Sequence, residues 1–337
     1  MKRIILFLAF IVLSLHAYTQ GIPSKVNVIN DLEKGRKLNT LLANDAIESL
    51  YPKMGTSFQE AVNGEIGFAK MNDQLHQKLG KEIRLIDEAS FSELGAITYY
   101  RVSEFEKAAS ITTKWVWKDT TIVGLTINAT PEPAPSQHEF YKTKTDLQLP
   151  FLDTWYVAWG GQKPHLNKHI SAPDQRYALD FLYSKNGKLA KTNTPTANED
   201  FYGFGQEVVA PGAGVVIQVV DTVKDNRLGK INTDSPPGNY VVIDHQNGEY
   251  SFLAHFKQGS VKVKAGQTIT QGELLGLAGN SGKSEVPHLH YHLQTGTDYR
   301  EGVGLPIQFT NYLLHGEQVT QAAPERGQYV SPPKPVK

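Results

Sequence analysis

Pro287-His288-Leu289-His290-Tyr291-His292-Leu293 is the stretch on which the fold turns. Side chains alternate across an extended strand, so His288, His290 and His292 share one face while Leu289, Tyr291 and Leu293 share the other. The apolar set suits a core and leaves a row of imidazoles facing a cavity or solvent. A lone histidine is more often a satisfied structural residue than a ligand. Three in register, backed by apolar partners, point to a site. The same period-two character runs upstream. Tyr240 to Asp244 and Glu249 to Phe256 read as strands joined across Asn247-Gly248, a short-range hairpin signal. Val208 to Pro211 and Val215 to Val220 bracket Gly212 and Gly214, and Ala265-Gly266 turns the chain after Val261 and Val263. From Phe151 to Leu314 the pattern predicts a mostly β domain, a compact antiparallel sheet folded on itself.

A different pattern precedes it. Leu38, Leu41, Leu42, Ile47, Leu50 and Tyr51 follow a helical period. Phe58, Val62, Ile66, Leu75 and Leu79 form a second stripe that stops at Gly80. Then Ile111, Thr113, Trp115 and Trp117 alternate with polar partners, as do Val123, Leu125 and Ile127. Helices followed by strands predict a small α+β domain over residues 21–128. Pro131, Pro133 and Pro135 favour an extended conformation and predict a semi-rigid linker over 129–150. Pro324 and Pro332-Pro333-Lys334-Pro335 predict a flexible tail over 315–337.

At the N-terminus, Lys2 and Arg3 precede an apolar run from Ile4 to Leu15, and small or polar residues follow at Ala17 to Gln20. This predicts a signal peptide over residues 1–20 and an exported mature protein, secreted or periplasmic. The run is shorter than the ~20 residues a spanning helix needs, so no membrane span is expected after signal cleavage. Two domains also suit a chain of 337 residues. Lys plus Arg and Asp plus Glu number 34 each, leaving no basic field to recruit nucleic acid. There is no cysteine, so any metal must be held by His, Asp or Glu.

Other residues bear on the chemistry. Asp180 sits in the apolar context Tyr177-Ala178-Leu179-Asp180-Phe181 and needs a cationic partner, an arginine or a metal, to offset its desolvation. His255 ends the strand that follows the Asn-Gly hairpin. Gly276 to Ser284 looks like a phosphate-binding loop, but its glycine spacing does not fit, and no nucleotide partner is expected. Trp115, Trp117, Trp155, Tyr156 and Trp159 suit sugar stacking or, more commonly, a core.

In order, the chain shows Ala210-Pro211-Gly212-Ala213-Gly214, Asn239 to His245, Ala254-His255-Phe256, Val263 to Gln267, Gly279-Asn280-Ser281-Gly282 and Pro287-His288-Leu289-His290. This series resembles the zinc endopeptidases of the lysostaphin/LytM type, peptidase family M23, from about Trp155 to Leu293. The resemblance implies one zinc per chain and cleavage of peptide bonds in peptidoglycan stem peptides or cross-bridges. It implies that Asp180 and His290 are zinc ligands and that His255 and His288 are the catalytic pair. The family's first ligand usually stands four residues before the aspartate, where this chain has Arg176. His169 and, second, His165 are the upstream candidates, and a branch of the family is similar in having Gly-Gly, then Asn-x-His, then a short insertion. His292 is open between a partner of the ligands and a solvent-facing residue.

The resemblance also implies an alternative: a catalytically degenerate envelope scaffold that activates or recruits a cell-wall amidase. Such relatives usually lack zinc-site residues, whereas Asp180, His255, His288 and His290 are all present here. The α+β domain resembles small accessory domains that fold over a groove, bind a partner or act as spacers.

Overall fold

The computed structural model describes residues 25–93 and 95–333, so the expected signal peptide lies outside the described residues. The chain divides into two compact units, residues 1–131 and 132–337.

In the first unit, α1 (Lys25–Ala43), α2 (Ile47–Leu50), α3 (Thr56–Ala61) and α4 (Gly64–Leu79) precede four strands. These are β1 (Glu82–Glu93), β2 (Ala96–Phe105), β3 (Ala108–Lys118) and β4 (Thr121–Ala129), an antiparallel meander in sequential order. Leu38, Leu42, Leu50, Phe58, Phe68 and Leu75 from the helices meet Tyr99, Ile111, Trp115, Trp117 and Ile127 from the sheet in one core. Each large apolar side chain withdrawn from water there contributes roughly 1.5–3 kcal/mol. Two local readings shift. Asn63, in the left-handed region at φ 58°, breaks the second stripe into α3 and α4 and leaves Ile66 exposed. A bulge between Val116 and Trp117 pairs Trp117 with Ile122, so Ile122 turns inward and Val123 outward.

The second unit carries β5 (Trp155–Trp159), β6 (Leu179–Tyr183), β7 (Glu207–Val209), β8 (Gly214–Val220), β9 (Asn239–Asp244), β10 (Tyr250–Phe256) and β11 (Thr268–Ile269). β12 (Leu274–Leu277), β13 (Leu289–Gln294), β14 (Gly304–Leu305), β15 (Phe309–Leu314), β16 (Glu317–Ala322) and β17 (Tyr329–Ser331) follow. The main sheet runs β11-β8-β9-β10-β13-β6-β5-β17-β15-β16, with β14 also on β13 and β12 paired to β7 in a separate ribbon. Its pairings are antiparallel. The mostly β second unit and α+β first unit match the sequence reading.

Both flanks of that unit differ from expectation. The tail expected from residue 315 is sheet: β16 pairs with β15, β17 bridges β15 and β5, and Val330 is fully buried. Pro324, Pro332 and Pro333 flank these strands instead of interrupting them. The expected linker likewise belongs to the second unit from residue 132. Leu147, Leu149 and Phe151 alternate into the core. The buried Glu249 carboxylate accepts the Lys144 and Thr145 backbone N–H groups at 2.7 and 2.8 Å and the Tyr141 hydroxyl at 2.9 Å. A period-two apolar pattern with such an anchor is a packed extended segment, whatever its proline content.

The aromatics resolve toward packing. Trp115, Trp117, Trp155 and Tyr156 are buried, and Trp159 is covered by the Arg326 guanidinium at 3.8 Å from its ring centre.

Candidate metal centre and its histidines

Three adjacent strands of the main sheet build the site. In the β13–β6 ladder, Leu289, Tyr291, Phe181 and Leu179 turn to the core, which sends His290 and Asp180 to the opposite face as directly paired residues. His290 Nδ1 lies 2.8 Å from Asp180 Oδ1. On the other side of β13, β10 places Ala254 beside His290.

Strict alternation would send His255 to the core face. A register shift between Ala254 and Phe256 and a left-handed backbone at His255, φ 68°, bring its ring round to the histidines instead. That conformation costs of order 1–3 kcal/mol for a residue with a Cβ, and the surroundings hold it. His255 Nδ1 donates to the Ser281 carbonyl at 2.7 Å, and the His255 N–H donates to Pro237 O at 3.1 Å. The loop that looked like a phosphate binder is therefore the support of His255. Gly279 is required there, because a Cβ would stand 2.3 Å from the Lys257 backbone nitrogen.

His288 precedes β13. Its Nδ1 donates to Val286 O at 2.9 Å, which leaves the Nε2 lone pair pointing into the site, 3.8 Å from Asp180 Oδ2. His255 and His288 have ring centres 4.7 Å apart, and His255 and His290 5.8 Å.

The upstream loop delivers His169. Buried Asn167 donates through Nδ2 to the carbonyls of Gly161, Arg176 and Ala178, pinning the loop to the entrance of β6, and its Oδ1 accepts the His169 N–H at 3.0 Å. His169 Nε2 then reaches Asp180 Oδ2 at 3.1 Å. Arg176 points elsewhere, onto Ala134 O and, at 2.7 Å, Glu139 Oε1, so the position four before Asp180 staples the loop to residues 134–139. Among the described residues, the His, Asp and Glu side chains whose ligand atoms all lie within 4.8 Å of one another are His169, Asp180 and His290. His165 is buried but is not in that group. One contributor had no signal in the sequence, and the open position of His292 resolves toward the ligands. Lys168 is half-exposed and places Nζ 2.6 Å from Asp180 Oδ2. His292 continues the row inward, with Nδ1 2.9 Å from His290 Nε2.

The electrostatics suit a cation. Burial pushes the Asp180 carboxyl up, but Lys168, His169 and His288 outweigh it and hold it well below the usual carboxylate range. Burial lowers His288 to about 4 against the pull of Asp180, and it lowers His169 as well. Burial, with His288 and His290 beside it, holds His255 far below 6.5. Neutral imidazoles around an ionised carboxylate are a zinc donor set, and three protein ligands leave a coordination position open, as in catalytic sites. The residues fit the ion.

Residues 199–301, which include His255, His288 and His290, match the model of Peptidase family M23, while His169 and Asp180 lie just before the matched stretch. The peptidoglycan DD-endopeptidase ShyA of Vibrio cholerae serotype O1 is 45% identical over 130 residues, 35% of this chain and 26% of that protein. The DD-carboxypeptidase/endopeptidase Mpg of Neisseria meningitidis serogroup B is 33% identical over 85 residues, 25% of this chain and 17% of that protein. The chain thus covers 17–26% of these relatives' lengths. The catalytic domain of the antimicrobial peptidase lysostaphin from Staphylococcus simulans aligns over 46% of this chain and 88% of that one, at 16% identity and a TM-score of 0.29. The second unit of this chain carries a domain of Peptidase family M23.

Proposed function

We propose that this protein is an exported zinc metalloendopeptidase that hydrolyses peptide bonds in peptidoglycan stem peptides or cross-bridges. One observation carries the reading: His169, Asp180 and His290 converge within 4.8 Å, and two further histidines, His255 and His288, stand beside them. The ShyA relative, a peptidoglycan DD-endopeptidase, supports peptidoglycan as the substrate. Export rests on Lys2-Arg3 and the apolar run to Leu15. Among the described residues, no helix is long and apolar enough to cross a membrane.

His169, Asp180 and His290 would hold the zinc, which supplies a Lewis acid that polarises the scissile carbonyl and acidifies water. His255 and His288 each commit Nδ1–H to a backbone carbonyl, so each offers Nε2 as a proton acceptor. The ring that takes the proton from the attacking water becomes an Nε2–H donor. It can then stabilise the developing oxyanion or return the proton to the leaving amine. Burial of both rings keeps them neutral before the reaction, as a general base requires.

Purified sacculi incubated with the mature protein test this reading. Soluble peptide fragments should appear, disappear with a chelator and return when zinc is added back. Zinc-loaded protein that releases nothing would contradict it.

A further inference from the structure

We infer that His292 and Gln294 form a hydrogen-bond relay that fixes the proton of His290 on Nε2 and thereby presents Nδ1 as the metal-binding lone pair. The inference rests on the zinc site proposed above and assigns His292 and Gln294 as positioning residues.

The relay starts at groups whose roles are not negotiable. Gln294 is fully buried, and its Nε2 donates to the carbonyls of Gly296 and Asp298 at 2.8 and 2.9 Å. Two carbonyl acceptors use both N–H groups of the amide and settle which end is nitrogen. Gln294 Oε1 is thereby turned toward His292 Nε2, 3.3 Å away. An amide oxygen only accepts, so His292 Nε2 must carry a hydrogen. A neutral imidazole has one N–H, which leaves His292 Nδ1 as a lone pair facing His290 Nε2 at 2.9 Å. His290 Nε2 must then donate. The only nitrogen left on His290 to bind a cation is Nδ1, and Nδ1 is the atom set 2.8 Å from Asp180 Oδ1.

The ring at 292 is held in plane for this task. Phe252, its cross-strand partner, stacks on it with centres 4.8 Å apart and planes 11° apart. Residues 290, 292 and 294 share one strand face, so period-two geometry makes the relay linear from the metal position to the carbonyls of the loop after β13. Partners of the second nitrogen of a ligand histidine typically carry roughly a 10–100-fold effect on metal affinity, because they select the tautomer and fix the ring.

The test is zinc affinity of the full mature chain by competition with a chelating dye, with circular dichroism to verify folding. His292→Phe keeps the stacked ring and removes the acceptor, and it should bind zinc roughly ten- to a hundredfold more weakly than the parent. His292→Asn, whose Oδ1 stands where Nδ1 stood, should recover most of that loss. Nitrogen-15 spectra of the parent should show His292 protonated at Nε2 and bare at Nδ1. Equal zinc affinity in the parent and His292→Phe, or a His292 protonated at Nδ1, would overturn the relay. A parent that binds no zinc would instead overturn the site on which it rests.

Discussion

His290 and Asp180 are directly opposed residues of neighbouring antiparallel strands, and their side chains meet at 2.8 Å on the face away from the core. The pairing follows from register alone, since Leu289, Tyr291, Leu179 and Phe181 must face inward. A ladder rung is a rigid mount, and it places two of the three proposed zinc donors without any loop. Asp180→Asn keeps the shape of that rung and removes the anion. The variant should retain the β-sheet circular dichroism spectrum while zinc content falls from about one per chain to a small fraction. Full zinc occupancy in this variant would remove Asp180 from the ligand set.

The third donor depends on a loop, and its identity is the sharpest local question. Asn167 sets His169 against Asp180 and leaves His165 outside the donor group. His169→Ala should empty the site, and His165→Ala should keep its zinc. The reverse result would transfer the ligand to His165, and retained zinc in both variants would undo the upstream assignment.

Removal of the first unit tests where the second begins. A fragment starting at residue 132 retains Leu147, Leu149 and the Tyr141, Lys144 and Thr145 contacts to Glu249. It should fold and bind zinc. A fragment starting at Pro150 strips those contacts, removes Leu147 and Leu149 from the core and takes from the Glu249 carboxylate its hydrogen-bond donors. It should melt lower or precipitate. Equal melting temperatures for the two fragments would show that residues 132–149 are dispensable.

Acid sensitivity follows from the buried imidazoles. Burial depresses the pKa of His245, His255, His288 and His292 below 6.5, with His288 at about 4. Below pH 6.5 the unfolded chain takes up protons that the folded rings refuse. Stability is therefore full above that value and falls as pH drops toward the folded values, by at most ~1.4 kcal/mol per pH unit for each ring. Metal-free protein should show a melting temperature that is flat above about pH 7 and declines steadily between about pH 6.5 and 4. A melting temperature unchanged from about pH 7.5 to 5 would contradict the buried, neutral state of these rings.

Much of this was readable in the chain, for identifiable reasons. The alternation at 288–293 fixes which histidines share a face, because a strand has only two faces. Asp180 was legible because a carboxylate among apolar strand residues needs a partner. His255 was legible only through its place in the motif series, since plain alternation sends it the wrong way and the bulge that rescues it has no local signature. Lys168 and Gln294 were invisible, one an ordinary loop lysine and the other an ordinary strand amide until their neighbours are known. At the flanks, prolines suggested looseness at 129–150 and 315–337. The packing of Leu147, Leu149 and Val330 outweighs them, because core burial of a few apolar residues is enough to order an extended segment.

The measurement that bears most directly on the central claim is zinc content and turnover determined on the same preparation of His288→Ala. His288 faces the site through Nε2 but is not in the donor group, so the variant should keep about one zinc per chain. Turnover on sacculi should fall by roughly a hundredfold or more, the scale of a lost general base or oxyanion donor. Zinc lost together with activity would place His288 among the ligands, and zinc retained with undiminished turnover would contradict the catalytic role of the histidine row.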